Sequence, residues 1–253
     1  MGDTDKLLEA IEARASVGKV LAVVRVLHTT PTGSVTVAVC EGELFPSISD
    51  RKISDQILAA TQSLIASSRV TDLIDCIDEQ GSPISIAIEI VKPKLELIVF
   101  GAGHVGQAVG LIAAIMGYDV MVVDDREEFA SRERFPDPRI RLLACDYAIA
   151  AEKLSISSSA AVVIVTRGHQ YDEVCLKSVI RSSAAYIGMI GSRKRVLSVF
   201  KKLATEGVSE RDLEKVHAPI GLRIGARSPQ EIAVSILAEI IDHVNNPDKD
   251  KGE

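Results

Sequence analysis

The chain has 253 residues, 47% of them hydrophobic and 25% charged, with no tryptophan, a globular composition able to bury one large core or two modest ones. Its net charge of −6 excludes a general nucleic-acid binder, which needs a basic surface to displace counterions. The acidic excess is shared: residues 1–94 hold 9 basic and 13 acidic side chains, and the remainder 20 and 22.

In chain order, residues 4–16 predict a helix with Leu7, Leu8, Ile11 and Ala15 on one face. Val20–Leu27 and Ser34–Cys40 are β-branched strand candidates separated by the turn-rich HTTPTG. Asp50–Ser67 has helical spacing, with Ile53, Ile57, Leu58, Leu64 and Ile65 expected to face inward. Ser85–Val91 alternates as a strand, and Lys92-Pro93-Lys94 marks a boundary. The expected organisation is a small α+β domain over residues 1–94, a Rossmann-like parallel-sheet domain over 95–245, and a flexible tail over 246–253.

From Glu96 the rhythm changes. Leu97–Phe100 is a fully apolar strand followed by a glycine loop, after which Val105, Ala108, Val109, Ile112, Ile115 and Met116 recur at helical spacing until Gly117. Val120–Val123, Ile140–Leu143, Ala160–Val165 and Tyr186–Ile190 supply further strands. Strands apolar on both faces that alternate with helices specify a parallel sheet covered on both sides. The last helix is well punctuated: Ser228 suits the N-cap, Pro229 the first helical position, and Glu231 completes a capping box. Ile232, Ile236, Leu237 and Ile240 form its buried stripe.

Cys40, Cys76, Cys145 and Cys175 are scattered, without a CxxC pair or zinc-ligand spacing, so neither a disulfide framework nor a metal site is expected. The N-terminus MGDTDKLLEAIEARA is acidic and amphipathic, unlike a signal peptide, and no run reaches the roughly 18–20 apolar residues of a membrane span. These features point to a reduced, cytoplasmic compartment, with neither membrane nor nucleic acid as partner.

Chemistry concentrates at strand ends. In Gly101-Ala102-Gly103-His104-Val105-Gly106, Gly101 permits the tight turn, Gly103 clears a path for a pyrophosphate, and Gly106 lets helix and strand pack closely; the helix start offers free N–H groups and a positive dipole end to an anion. Asp124 follows the next strand where such folds bind a ribose. In Asp124-Asp125-Arg126 the acid disfavours a 2′-phosphate while Arg126 favours one, and a local ion pair is the alternative. The loop from Thr166 to Asp172, with Arg167 and His169, combines a hydroxyl, a guanidinium, an imidazole and a carboxylate at the ligand-binding edge of an open sheet. Gly191 and Ser192 lead a helix whose first turn carries Arg193, Lys194 and Arg195, cations that oppose the helix dipole unless an anion is bound there. The loop Pro219–Arg227 either closes over a ligand or simply turns. His28, His217 and His243 are isolated, with structural or solvent roles expected.

The segments VFGAGHVGQAVGLIAAIMGYDVMVVDDREEFASRERFP, YIGMIGSRKR and APIGLRIGARSPQEIAVSILAEII resemble, in the family's order, the C-terminal domain of the XdhC/CoxI family. The likeness spans about residues 97–242. That resemblance implies an accessory protein, not a subunit of the finished enzyme. It would bind molybdenum cofactor (molybdopterin or its dinucleotide form), protect it while its sulfido ligand is installed, and hand it to an apo-molybdenum hydroxylase of the xanthine dehydrogenase type. A cysteine desulfurase as second partner and a homodimeric state accompany the reading. By resemblance, Gly101–Gly106, Asp124, the Thr166–Asp172 loop and the Gly191–Arg195 turn line the cofactor cleft. The N-terminal half departs from the pattern: Ser47–Lys52 lacks the family's cysteine, and Arg167 follows Thr166 where the family has histidine. Two other readings start from the same glycine loop: an NAD(P)-binding oxidoreductase, for which no substrate domain or catalytic set stands out, and a nucleotide-sensing regulatory module.

Overall fold

In the computed structural model the described residues are 20–28, 35–67, 69–91 and 94–246. The helix expected over 4–16, the HTTPTG turn and nearly all of the tail lie outside them. The chain divides into two compact units, residues 1–93 and 94–253.

The first unit is an antiparallel sheet with one helix. Strands β1 (Leu21–His28), β2 (Val35–Cys40), β3 (Glu43–Phe45), β4 (Thr71–Ile77) and β5 (Pro83–Val91) stand in the order β3-β2-β1-β5-β4, and α1 (Arg51–Ala66) covers one face. Alternation does the sorting. Ile84, Ile86, Ile88 and Ile90 of β5 are buried against Ile53, Ile57 and Leu64 of α1, while the residues between them turn the other way. Ile65, expected to face inward, is 48% exposed. Thr61 holds that stripe instead, because 57, 61 and 64 follow the 3.6-residue period and 65 drifts off it.

The second unit is a doubly wound parallel sheet. Its elements in chain order are β6 (Glu96–Phe100), α2 (His104–Ile115), β7 (Asp119–Asp124), β8 (Arg141–Ala144), α3 (Tyr147–Lys153), β9 (Ala160–Ile164), α4 (His169–Val179), β10 (Tyr186–Met189), α5 (Arg193–Thr205), α6 (Glu210–Glu214), β11 (Val216–His217) and α7 (Pro229–Asn245). The strand order is β11-β10-β9-β6-β7-β8, with every pairing parallel. The order reverses between β6 and β9, the place where open α/β sheets bind ligands.

Both faces are dry. Leu97, Val99, Ala161 and Val163 pack under α2 and α7, and Ile98, Phe100, Val162 and Ile164 pack under α3, α4 and α5. Gly188 in β10 has a packing reason, since a Cβ there would lie 2.4 Å from the Ile220 side chain. Ile115, expected on the buried face of α2, is 81% exposed. It sits two residues past the buried Ala113, about 200° around the helix. The short elements β3, β4, α3, α6 and β11 are additions to the elements expected from the sequence. No described helix is long and apolar enough to cross a membrane.

Candidate functional site

The carboxyl ends of β6, β7, β9 and β10 bring the sequence-predicted residues to one edge of the second unit. Gly101, Gly103, His104, Val105 and Gly106 connect β6 to α2. Asp124, Asp125 and Arg126 end β7. Thr166 and Arg167 follow β9, and His169 is the first residue of α4. Gly191 and Ser192 follow β10, and Arg193 and Arg195 open α5.

The three loop glycines serve different purposes. Gly101 has φ +109°, and a Cβ there would come within 2.6 Å of the Val165 carbonyl oxygen. A Cβ on Gly106 would lie 1.8 Å from the Gly101 carbonyl oxygen. Both are required by the fold itself. Gly103 is different: its backbone is extended, with φ −63° and ψ −171°, and a Cβ would meet nothing within 4 Å. Neither conformation nor internal packing demands glycine there, and the missing side chain leaves the backbone open to approach from outside.

Helix starts separate in the same way. Asp50, Asp146, Ser192, Ser209 and Ser228 each accept a backbone N–H at the start of α1, α3, α5, α6 and α7. The N-caps of α2 and α4 are Gly103 and Gly168, which offer no side-chain acceptor. The first N–H groups of a helix have no acceptor within it. Two such rows of donors therefore start at the ends of β6 and β9, neighbouring strands on either side of the topological switch. That arrangement can receive an anion.

The charged groups are mostly engaged with one another. Asp124 is fully buried. It accepts the Ala102 amide on Oδ2 at 2.8 Å, the Arg126 amide and Nε on Oδ1 at 3.1 and 2.9 Å, and Arg126 Nη2 on Oδ2 at 3.2 Å. Burial opposes its ionisation, but these donors outweigh burial and hold its carboxyl below the usual carboxylate range, while Asp124 holds the Arg126 guanidinium charge more firmly. The Arg126 guanidinium also lies 3.5 Å over the Phe129 ring.

Arg167 donates to both oxygens of Asp125 at 2.8 and 2.7 Å and to the Tyr171 hydroxyl at 2.7 Å. Tyr171 and then Asp125 raise its pKa above the ordinary arginine value. Since β6 lies between β7 and β9, this pair spans the end of β6 beside the glycine loop. Arg195 is paired with the fully buried Asp172, which also accepts the Thr166 hydroxyl. Of the arginines picked out in the sequence as phosphate ligands, Arg126, Arg167 and Arg195 are thus neutralised. Arg193 is exposed at the start of α5 and has no carboxylate partner among the described residues.

Several contributors are invisible to a reading of the sequence alone. Arg134 donates to the Ala102 carbonyl at 3.2 Å and to Gln107 Oε1 at 2.8 Å, while Gln107 Nε2 returns a bond to the Arg134 carbonyl at 2.8 Å. The segment after β7 is thereby tied to the glycine loop. Asp172 stands in the sequence only as part of a polar loop, yet it joins the end of β9 to the first turn of α5. Burial, with the Asp172 charge behind it, pushes the Cys175 thiol up, which leaves it a poor nucleophile. Of the histidines expected to be isolated, His217 and His243 are not. His217 stacks on Tyr186 with centroids 4.5 Å apart, His243 lies 4.8 Å from His217, and Tyr186 donates to Glu239. No group of three or more His, Cys, Asp or Glu among the described residues is placed to hold a metal ion.

With this geometry in hand, the likeness to known proteins is informative. The family described as the XdhC Rossmann domain matches residues 97–240. The uncharacterized protein YqeB of Escherichia coli is 36% identical over 166 residues, covering 66% of this chain and 30% of YqeB. A probable xanthine dehydrogenase subunit of Bacillus subtilis is 33% identical over 154 residues, 61% of this chain and 44% of that protein. The molybdenum cofactor insertion chaperone PaoD of Escherichia coli is 24% identical over 149 residues, 59% of this chain and 40% of PaoD. The matched region thus spans less than half the length of each of these curated relatives. A crystal structure described as a xanthine dehydrogenase from Bacillus halodurans superposes with a TM-score of 0.67 at 23% identity, covering 99% of this chain and 70% of that one; it shows that the fold is shared. The glycine loop, the strand-end acid and most of the closing helix fall within the family match, and the chain belongs to the XdhC Rossmann domain family.

Proposed function

We propose that this chain is an accessory protein that binds molybdenum cofactor, as molybdopterin or its dinucleotide, and delivers it to the apo form of a xanthine dehydrogenase-type hydroxylase. Two relatives support the assignment by name, one a molybdenum cofactor insertion chaperone and the other a probable subunit of xanthine dehydrogenase. The observation that carries it is local: α2 begins without a side-chain cap, at a glycine that neither backbone strain nor packing requires.

The residues present fit a phosphorylated ligand. Gly103 leaves room for a phosphate oxygen to reach the backbone, and the first N–H groups of α2 and α4 would be its donors. Arg193, exposed at the start of α5, would supply a counter-charge. Arg134, itself held by Gln107, bonds the Ala102 carbonyl, which fixes the loop before a ligand arrives. When bound, the cofactor supplies the metal and pterin chemistry, and this chain's part is to seat the phosphate and release it to the partner.

The test is co-production of an apo-hydroxylase with and without this protein, followed by assays of its molybdenum content and activity. The proposal expects both to rise when the protein is present. Equal loading without it would remove the delivery role.

A further inference from the structure

A second property of the same crevice concerns what the seat refuses, and it rests on the phosphate-binding reading above. In dinucleotide-binding folds of this topology the acid at the end of the second strand accepts hydrogen bonds from the adenosine ribose. Here that acid is Asp124, and its capacity is used up. A carboxylate has about four acceptor sites, and Asp124 receives four hydrogen bonds from Ala102 and Arg126. Its side chain is 1% exposed. Asp125 is engaged as well, each of its oxygens accepting one hydrogen bond from Arg167. Phe129 braces Arg126 from the other side, so withdrawing the guanidinium sacrifices a bidentate ion pair and a cation–π contact together.

We infer that Arg126 is a specificity determinant, closing the ribose subsite and rejecting NAD(H), so that the seat is kept for phosphate esters that need no ribose acceptor at the end of β7. A 2′-phosphate gains little there either, since the Arg126 charge is already neutralised by Asp124. A phosphorylated pterin would meet the requirement, because it carries a phosphate and no adenosine ribose.

The experiment titrates the full chain with NADH, followed by its fluorescence, and with inorganic pyrophosphate, followed by calorimetry. The wild type should bind pyrophosphate and show no saturable NADH binding. Arg126→Ala should free one acceptor site on each Asp124 oxygen and bring in saturable NADH binding, at least about tenfold tighter than any the wild type shows, the worth of hydrogen bonds to a charged acceptor. Adding Asp124→Asn to Arg126→Ala should cancel the gain. Should Arg126→Ala fail to fold, Arg126→Gln removes the same fork at nearly constant volume and is read in the same way. Wild-type NADH binding as tight as that of Arg126→Ala, or a gain that survives Asp124→Asn, would overturn the inference. Failure of the wild type to bind pyrophosphate strikes instead at the phosphate seat, and the NADH comparison between variants still decides the role of Arg126.

Discussion

Helix α1 in the first unit begins beneath Asp50, whose carboxylate accepts the Ile53 amide at 2.9 Å and, from a distant loop, the Glu79 amide at 3.0 Å. Helix α2 in the second begins at Gly103 with no side chain over its amides. The same contrast runs through the sheets. In the first unit, β5 alternates buried residues with more open ones and β4 alternates half-buried with exposed ones, whereas in the second, β9 is buried along its whole length between two helical layers. The second unit therefore has more core to rely on, and it leaves donors unsatisfied at its carboxyl edge where the first unit closes them. An uncapped helix start is tolerable on a well-buried scaffold, and it becomes useful when an anion supplies the missing acceptor.

Substitutions at the two kinds of position sharpen that contrast. The largest effect is expected at Gly106, where a Cβ collides with backbone and cannot be relieved by a side-chain turn. Gly106→Ala should cost about 4 kcal/mol, read as a lowered midpoint in urea unfolding. Asp172→Ala comes next. It strands the Arg195 guanidinium, whose side chain is only 20% exposed, and should cost about 3 kcal/mol; a midpoint within error of the wild type would show that the pair is not structural. Asp50→Ala removes a conventional cap and should cost about 1 kcal/mol by the same assay. Gly103→Ser should be the mildest, within about 0.5 kcal/mol of the wild type, because serine is a good N-cap and the added atoms enter open space. If Gly103→Ser unfolds the protein, the contrast between the two kinds of glycine collapses.

Much of this is legible in the sequence, for definite reasons. Leu97–Phe100 and Ala160–Val165 are apolar at consecutive positions, which only a doubly covered strand explains, and Ser228, Pro229 and Glu231 spell out the capping box that the structure contains. The glycine loop can be placed because its spacing is fixed by a turn and a helix. Most of the charge pairing cannot. Arg126 and Asp124 are two residues apart, so a local pair is one of the readings their spacing allows. Arg167 and Asp125 are 42 apart, and Arg195 and Asp172 are 23 apart. They meet only because the sheet places β7, β9 and β10 at one edge, which periodicity does not reveal. The ring cluster of Tyr186, His217 and His243 is hidden for the same reason, since it needs β10, β11 and α7 to converge. The two-residue β11 and the seven-residue α3 are too short to show a period.

Calorimetric titration of the wild type and Gly103→Ser with inorganic pyrophosphate tests the central claim most directly. The wild type should bind saturably, and the serine variant should lose about tenfold or more in affinity while melting within a few degrees of the wild type. Equal affinity in the two folded proteins, or no binding by either, would contradict a phosphate seat at the start of α2.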